Sequence, residues 1–248
     1  MGPGLARNRG IKAAAGLGAP FILFLDADDL ADPRRLERTR AAFCSGKDVN
    51  VVYSSHDFID EYSRPIPLDS LAPTVREAMD GHRQNPVKGE EAWIQIATRK
   101  NYANLTSCTA VQTSLALAEP FTDKRVSEDA HTWMRFGAHP ERFIFLRDIR
   151  NHYRIRTGME SQSRSQNQDF YAMKAAADRD GFEQALSIAD QYGRVSGDAA
   201  RDIRARFLVR LALSMQRGPD IQDEIRQPIC FLAHGEQVSD WAFFRICA

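Results

Sequence analysis

Three aspartates follow a run of apolar residues near the start of the chain. The segment FILFLDADDLADP, residues 21–33, is apolar for five residues and then contains Asp26, Asp28 and Asp29. Burying carboxylates is costly unless a cation meets them. Two carboxylates in the pattern Asp-x-Asp suit one hard divalent cation, whose other positions are filled by waters and by diphosphate oxygens. We therefore predict that Asp26 and Asp28 bind a hard divalent cation. Asp29 and Asp32 could instead serve only as a turn residue and a helix cap.

The elements around these aspartates predict an α/β sheet. The continuous apolar run FILFL is typical of a strand buried on both faces. Asp32-Pro33 then resembles the N-cap and first position of a helix, and VNVVYSSHDFID (49–60) predicts the next strand. Strand, helix, strand in this order indicates crossover helices, and ligands of such sheets bind at the carboxyl ends of the strands.

Further elements follow along the chain. Residues 63–87 contain four prolines and are predicted to be mostly loop. Beyond residue 165 the sequence is helical, with apolar residues spaced for one face. The other predicted elements are helices over 8–18, 89–99 and 127–139 (with Ser127 as cap), a strand and short helix over 105–117, and a strand leading into a polar loop over 142–156.

Composition excludes several classes of protein. The 248 residues are 43% hydrophobic and 27% charged, and 33 basic residues balance 33 acidic ones. No global basic field exists to attract nucleic acid, so we expect no nucleic-acid partner. The four cysteines form no CxxC pair, which favours reduced thiols and a cytoplasmic location. The longest apolar run is too short to cross a bilayer.

Three motifs, in order over residues 3–165, resemble the family-two glycosyltransferases of the GT-A fold. GPGLARNRGIKAAAGLGAPFILFLDADDLADPRRL is similar to their Ala-Arg-Asn-x-Gly helix, apolar strand, Asp-x-Asp-Asp motif and Pro-led helix. PFTDKRVSEDAHTWMRF resembles their Glu-Asp segment, and HYRIRTGMESQSRS resembles their Tyr-Arg-x-His-x-x-Ser-x-Ser loop. The resemblance implies a GT-A-like (Rossmann-like) mixed sheet flanked by helices over residues 1–165, followed by a helical C-terminal region over 166–248.

The resemblance also implies a reaction, the transfer of a sugar from a nucleoside diphosphate sugar to an acceptor hydroxyl. In the family's reaction Mn²⁺ or Mg²⁺ stabilises the departing diphosphate, which implies Asp28 as the principal ligand and Asp26 near the metal or the ribose. Asp129, or Glu128 beside it, is the base that takes the acceptor proton. A carboxylate at a helix N-terminus is equally suited to a cap.

The remaining site residues implied by the resemblance bind substrate. Arg7 lies near the nucleotide or diphosphate, Asn8 fixes the entry of its helix, and Trp133 forms a wall of the acceptor pocket. A surface position for Arg7 and a core position for Trp133 are the open alternatives.

The last core strand leads into a loop that closes over diphosphates in this family. His152, Arg154 and Arg156 are its candidate cations. Arg156 stands where the family often has His, so positive charge is kept and metal ligation is not.

A nucleoside-binding portion precedes the Ala-Arg-Asn-x-Gly helix in the family, and here the sequence opens within that pattern. We therefore expect a partial, N-terminally truncated GT-A domain whose FILFL strand has a free edge, with a homo-oligomer covering that edge. No Gln-x-x-Arg-Trp string occurs, which favours non-processive transfer of single sugars to a glycan, lipid-linked or protein acceptor. Residues 201–217 are amphipathic and suit either a peripheral membrane contact or docking on the domain.

Two other functions fit parts of the sequence. A glycosyltransferase-like remnant acting as a binding module is the first. The second is a haloacid-dehalogenase-like phosphatase, with Asp26 as nucleophile and GDAARD (197–202) as a second metal motif. Asp29-Leu30 stands where that phosphatase family has Gly-Thr, which counts against the phosphatase.

Overall fold

A computed structural model describes residues 2–46, 48–71, 73–99, 105–155 and 169–215. The helices of these ranges are α1 (Pro3–Gly16), α2 (Arg35–Cys44), α3 (Pro73–Gln84), α4 (Ala92–Thr98), α5 (Thr113–Ala118), α6 (Glu128–Ala138), α7 (Phe170–Gln191) and α8 (Gly197–Met215). The strands are β1 (Phe21–Leu23), β2 (Val49–Ile59), β3 (Pro65–Ile66), β4 (Thr109–Gln112) and β5 (Arg142–Arg154).

One mixed sheet contains all five strands. Strand β4 lies between β1 and β2 and is antiparallel to both, so β1 and β2 run parallel to each other. On its other side β2 pairs in parallel with β5. The carboxyl ends of β1, β2 and β5 therefore lie at the same edge of the sheet, where the acidic turn begins.

The two faces of the sheet carry separate apolar clusters because successive strand residues point to opposite faces. Val52 of β2 packs with Ala42 of α2 on one face, and Val49 joins them because the pairing of β2 with β5 is irregular between Val49 and Val51. Val51 and Tyr53 belong to the larger cluster on the other face, which extends through the tryptophans of α4 and α6.

Helices α7 and α8 pack against α6 and α4 and share the larger core. Phe182 of α7 and Phe207 of α8 are fully buried and stack with ring centroids 4.1 Å apart. The apolar residues of the amphipathic stretch, Ile203, Phe207 and Leu211, are thus buried against protein, as the docking alternative predicts. No helix in the described ranges is long and apolar enough to cross a membrane.

Three sequence predictions are corrected. FILFL is not buried on both faces: only Phe24 is buried, because β1 is an edge strand whose only partner within the described ranges is β4. Residues 63–87 contain helix α3, since Pro73 occupies its first position, where proline is tolerated. Helix α2 begins at Arg35, two residues after Pro33, although Asp32 still accepts a hydrogen bond from the Arg34 N–H (2.9 Å) as a cap does.

Candidate active site

The acidic turn after β1 is held from beneath by buried polar groups. Ser107 Oγ accepts a hydrogen bond from the Asp26 N–H (2.9 Å). The guanidinium of Arg35, only 4% exposed, donates to the carbonyl oxygens of Phe24 (2.8 Å) and Thr109 (3.2 Å), which ties the end of β1 to β4. These contacts fix the backbone of the turn and leave the Asp28 side chain exposed.

The end of β5 holds the other side of the turn. Leu30 and His152 exchange both backbone hydrogen bonds (3.0 and 2.8 Å). The Arg154 N–H donates to Asp29 Oδ1 (2.9 Å), and its guanidinium donates to the carbonyl oxygens of Asp28 and Asp60 (both 2.7 Å). Arg154 therefore positions the acidic turn in this conformation, and its donors are directed at the chain itself.

Asp29 is buried, which assigns it to the structure of the turn and not to the exposed carboxylates. The residue is 6% exposed, and burial raises the pKa of its carboxyl, with the charges of Asp28 and Asp26 acting in the same direction. Asp28 is exposed and Asp26 is half-buried. The two carboxylates that face solvent are thus those of the Asp-x-Asp pair.

Arg7 of α1 joins the acidic turn to the start of α6. Its Nη2 lies 3.2 Å from Asp26 Oδ1, and its Nη1 lies 2.9 Å from Glu128 Oε1. The guanidinium carbon also lies 5.4 Å from the ring centroid of Phe121. Arg7 is 14% exposed, so the surface alternative for this residue is wrong.

Asn8 anchors α1 in the position that this bridge requires. Its amide donates to the Phe121 carbonyl oxygen and accepts from the Phe121 N–H, both at 2.8 Å. Gly4 permits close approach at the same contact, because a Cβ there would lie 2.2 Å from the carbonyl oxygen of Thr122. Helix α1 is therefore locked to the segment that precedes α6.

The two acidic residues at the start of α6 differ in their partners. Glu128 is paired with Arg7; burial and the neighbouring charge of Asp129 raise the pKa of Glu128, although Arg7 opposes the rise. Burial also raises the pKa of Asp129, whose Oδ1 accepts the N–H of Ala130 (2.7 Å). Asp129 is the carboxylate of the two that carries no side-chain ion pair among the described contacts.

One predicted site residue, Trp133, occupies the core position that the sequence left as an alternative. Trp133 is 0% exposed and packs against Phe24, Phe121 and Phe136, because the apolar face of α6 points into the core. It is a core residue and does not line an open pocket. Ser127 stands at the N-cap position but makes no side-chain cap.

The predicted diphosphate loop is only partly covered by the structure. His152 is partly buried, and its Nδ1 has no hydrogen-bond partner within the described residues. Arg156 lies outside the described residues.

The donor set fits a cation shared with a ligand, and does not fit a cation held by protein alone. Within the described ranges no three His, Cys, Asp or Glu side chains come together closely enough to hold a metal ion. Mg²⁺ is usually bound through one or two carboxylates together with substrate phosphates. Asp28, exposed, and Asp26, one side of which faces Arg7, match that arrangement.

Sequence reasoning missed the residues that support the site. Ser107 and Arg35 lie in ordinary contexts, and only the tertiary contacts show that they hold the turn. Tyr153, adjacent to His152, has no signal of its own beyond its place in the HYRIRTGMESQSRS segment; burial raises the pKa of its phenol to about 12, and the charge of Asp29 contributes to the rise.

The chain is similar to known proteins in both sequence and fold. Residues 1–102 match the model of glycosyl transferase family 2. An uncharacterized glycosyltransferase of Methanocaldococcus jannaschii is 25% identical over 173 residues, which are 69% of this chain and 53% of that protein. The crystal structure of S. aureus TarS 1–349 superposes with a TM-score of 0.54 and 19% identity, over 93% of this chain and 57% of that chain.

These comparisons confirm the fold predicted from the sequence. The mixed sheet flanked by helices is shared with the structure of TarS 1–349. The chain spans about half the length of the relatives that it matches.

Proposed function

We propose that the chain, whose residues 1–102 match the model of glycosyl transferase family 2, transfers a single sugar from a nucleoside diphosphate sugar to an acceptor hydroxyl. The observation that carries the proposal is the bridge of Arg7 between Asp26 and Glu128 (3.2 and 2.9 Å). It places the exposed acidic turn beside the acidic start of α6. This contact supports a site in which the proposed metal ligands and the proposed proton acceptor are neighbours.

Asp129 is the proposed base. The Glu128 carboxylate is occupied by Arg7, whereas the Asp129 carboxylate meets only a backbone N–H of its own helix among the hydrogen bonds of the described residues. A raised pKa brings a carboxylate closer to the operating pH, which suits proton transfer from a hydroxyl. Glu128 then acts through Arg7, which it orients.

Asp26 and Asp28 are the proposed ligands of Mn²⁺ or Mg²⁺. When bound, the cation supplies Lewis-acid stabilisation of the leaving diphosphate. Asp28 extends into solvent from a turn whose backbone is fixed by Ser107 and Arg154, so its carboxylate is presented with little freedom of the main chain. Because Arg7 also faces Asp26, it offsets part of the negative charge that a diphosphate brings to this pair.

The finer features of the function rest on the sequence. Non-processive transfer, a glycan, lipid-linked or protein acceptor in bacterial glycan or surface-polysaccharide synthesis, and a cytoplasmic location are proposed on that basis. The phosphatase alternative is not favoured: Asp198 and Asp202 lie on α8, where they pair with Arg201 and Arg206 of the same helix. A homo-oligomer through the edge strand β1 is proposed, and sedimentation of a purely monomeric species would argue against it.

Thermal unfolding with nucleotides tests the proposal. The protein is melted with Mn²⁺ alone, with UDP, GDP or dTDP alone, and with both together. We expect one nucleotide to raise the Tm only when Mn²⁺ is present, since a ligand bound only by the native state stabilises it by about 2.7 kcal/mol at a hundred times its Kd. Release of that nucleotide from its sugar conjugate then reports turnover.

Substitutions of single aspartates test whether the Mn²⁺-dependent nucleotide binding involves Asp28. Asp28→Asn is expected to abolish the Mn²⁺-dependent shift without changing the Tm of the unliganded protein, because Asp28 is exposed. Asp69→Asn, at an exposed aspartate in the turn Leu68–Ser70, is the matched control and should keep the shift. Absence of any nucleotide effect in the unsubstituted protein contradicts the transferase and favours the binding module. Loss of aryl phosphate hydrolysis on Asp26→Asn would favour the phosphatase.

A further inference from the structure

A buried ionic cluster lies directly behind the proposed base. Asp178 of α7 is 0% exposed. Its carboxylate accepts hydrogen bonds from Lys174 Nζ (2.6 Å), Arg210 Nη1 of α8 (2.9 Å) and Ser127 Oγ (2.6 Å). Burial alone would raise the pKa of Asp178, but Lys174 and Arg210 outweigh it, and the pKa is lowered. The carboxylate is thus a fixed anion whose partners come from three different elements.

Ser127 is the point at which this cluster meets the start of α6. Its backbone is left-handed (φ 59°, ψ 24°), a conformation that costs a serine about 1–2 kcal/mol and that glycine or asparagine adopts more readily. Its hydroxyl donates to Asp178, and Lys174 Nζ lies 3.4 Å from the same oxygen. A strained backbone persists only where its surroundings hold it.

The strained residue immediately precedes Glu128 and Asp129. The left-handed turn at Ser127 sets the direction in which α6 begins, and with it the direction of the two carboxylates. Charged groups that act on Asp129 come from α1 (Arg7) and from α7 (Lys174 and Asp178). Arg210 acts on the same region through Asp178 and is itself tied to the Ala97 carbonyl oxygen of α4 (2.8 Å).

We propose that Asp178 and Lys174 are positioning residues, which hold the left-handed Ser127 turn and thereby aim Glu128 and Asp129 into the site. Helices α7 and α8 are then part of the catalytic unit. The inference rests on the proposed function only for the role of Asp129; the positioning of the turn stands separately.

Ser127→Ala is the most direct test because it removes only the hydroxyl link and leaves the ion pairs of Asp178 in place. We expect backbone amide hydrogen exchange over residues 127–131 to become at least about ten-fold faster. We expect kcat to fall by about ten- to a hundred-fold, with the KM for the donor unchanged, because a small misplacement of a reacting group lowers the rate of the chemical step. Asp178→Asn should give the same pattern more strongly.

Two comparisons separate positioning from stability. Arg204→Met removes an exposed ion pair between α8 and α7 (Arg204 to Glu183, 2.7 Å) that does not involve Ser127, and it should leave exchange at 127–131 and kcat unchanged. Lys174→Arg should retain more of kcat than Lys174→Met, since only the former keeps the positive charge beside Asp178. Activity is measured below the Tm of every variant.

The outcomes distinguish the two proposals. The probe of activity is nucleotide released from UDP-glucose, UDP-N-acetylglucosamine, GDP-mannose or dTDP-glucose with Mn²⁺. If the unsubstituted protein releases none, the transferase proposal fails, while the exchange rates at 127–131 still decide the positioning. Unchanged exchange over these residues in both Ser127→Ala and Asp178→Asn overturns the positioning role, whatever the activity shows. Faster exchange with kcat unchanged overturns the link to catalysis.

Discussion

Arg7 Nη1 lies 2.9 Å from Glu128 Oε1, although the two residues are 121 positions apart in the chain. The two side chains are 14% and 15% exposed, so the contact is shielded from water more than a surface ion pair. The same guanidinium reaches Asp26, and one cation therefore links the acidic turn after β1 to the acidic start of α6. This contact defines the candidate site more directly than any single motif.

Loss of the Arg7 link should lower the stability of the fold. Arg7→Met leaves Asp26 and Glu128 without their shared cation, and a hydrogen bond to a charged group contributes about 1.5–3 kcal/mol. We expect the free energy of unfolding, measured with urea, to fall by about 1–3 kcal/mol. Arg38→Met, which removes a half-exposed pair with Asp148, is the control and should cost no more than about 1 kcal/mol. Equal losses in the two variants would contradict the special role of Arg7.

The two carboxylates at the start of α6 should respond differently to neutralisation. Asp129→Asn is expected to lower kcat by about 10²–10⁴-fold, since it removes the proposed base. Glu128→Gln should have a smaller effect on kcat, because it weakens only the hold on Arg7. Both variants should keep the nucleotide-induced Tm shift. If Glu128→Gln lowered kcat more than Asp129→Asn, Glu128 would be the base and Asp129 the supporting residue.

The pH dependence of activity follows from the burial of Asp129. Burial raises the pKa of this carboxyl, and a base must be ionised to accept a proton. As the pH falls through the raised pKa, the base is protonated, so kcat/KM should decline on the acid side at a pH above the usual range of an aspartate. A profile of kcat/KM against pH measures the pKa at which this acid-side decline occurs. An acid limb at or below the ordinary aspartate pKa would show that another group titrates.

Packing of α1 can be tested with two glycines of the same helix. Gly4→Ala places a Cβ 2.2 Å from the Thr122 carbonyl oxygen, so we expect a loss of about 1–3 kcal/mol in unfolding free energy. A Cβ at Gly10 would meet no neighbouring side chain or strand within 4 Å, and Gly10→Ala should stabilise the helix by about 0.5–1 kcal/mol. Urea unfolding measures both. The close contact between α1 and the segment before α6 is disproved by a neutral Gly4→Ala.

Two buried histidines should make the fold sensitive to acid. Burial lowers the pKa of His56 to about 3 and that of His82 to about 4, and their rings lie 6.0 Å apart. Since the unfolded chain binds protons near pH 6.5, this stability is complete above that pH and is lost as the pH falls toward 4, by up to about 1.4 kcal/mol per pH unit for each histidine.

Replacement of one histidine by a ring that cannot titrate isolates this effect. His56 packs against Phe58 and Tyr153, so His56→Phe keeps an aromatic ring at the position. Between pH 7 and pH 5 the variant should lose less unfolding free energy than the unsubstituted protein, as measured with urea at each pH. The same loss in both proteins would mean that other groups cause the acid sensitivity.

Local patterns in the sequence determined most of the elements and the composition of the acidic turn. The apolar strand before Asp26, the strand over 49–59, helix α6 and the helices after residue 165 follow from hydrophobic spacing and end signals that act over a few neighbouring residues. The Asp-x-Asp pair stands out locally because it follows an apolar run, whereas the role of the Glu-Asp pair is implied by the family resemblance. Their chemistry depends on residue type and local order, both of which are present in the linear chain.

Tertiary structure alone decided how these parts meet. The contact of Arg7 with Glu128, the burial of Trp133 and the edge position of β1 depend on which elements pack together, and local spacing carries no information on that. Asp178 and Lys174 stand in an ordinary helical pattern, yet folding brings their charges to the strained turn at Ser127. Because an ion pair or a buried hydrogen bond requires closeness in space and not in sequence, such partners emerge only when the chain is folded.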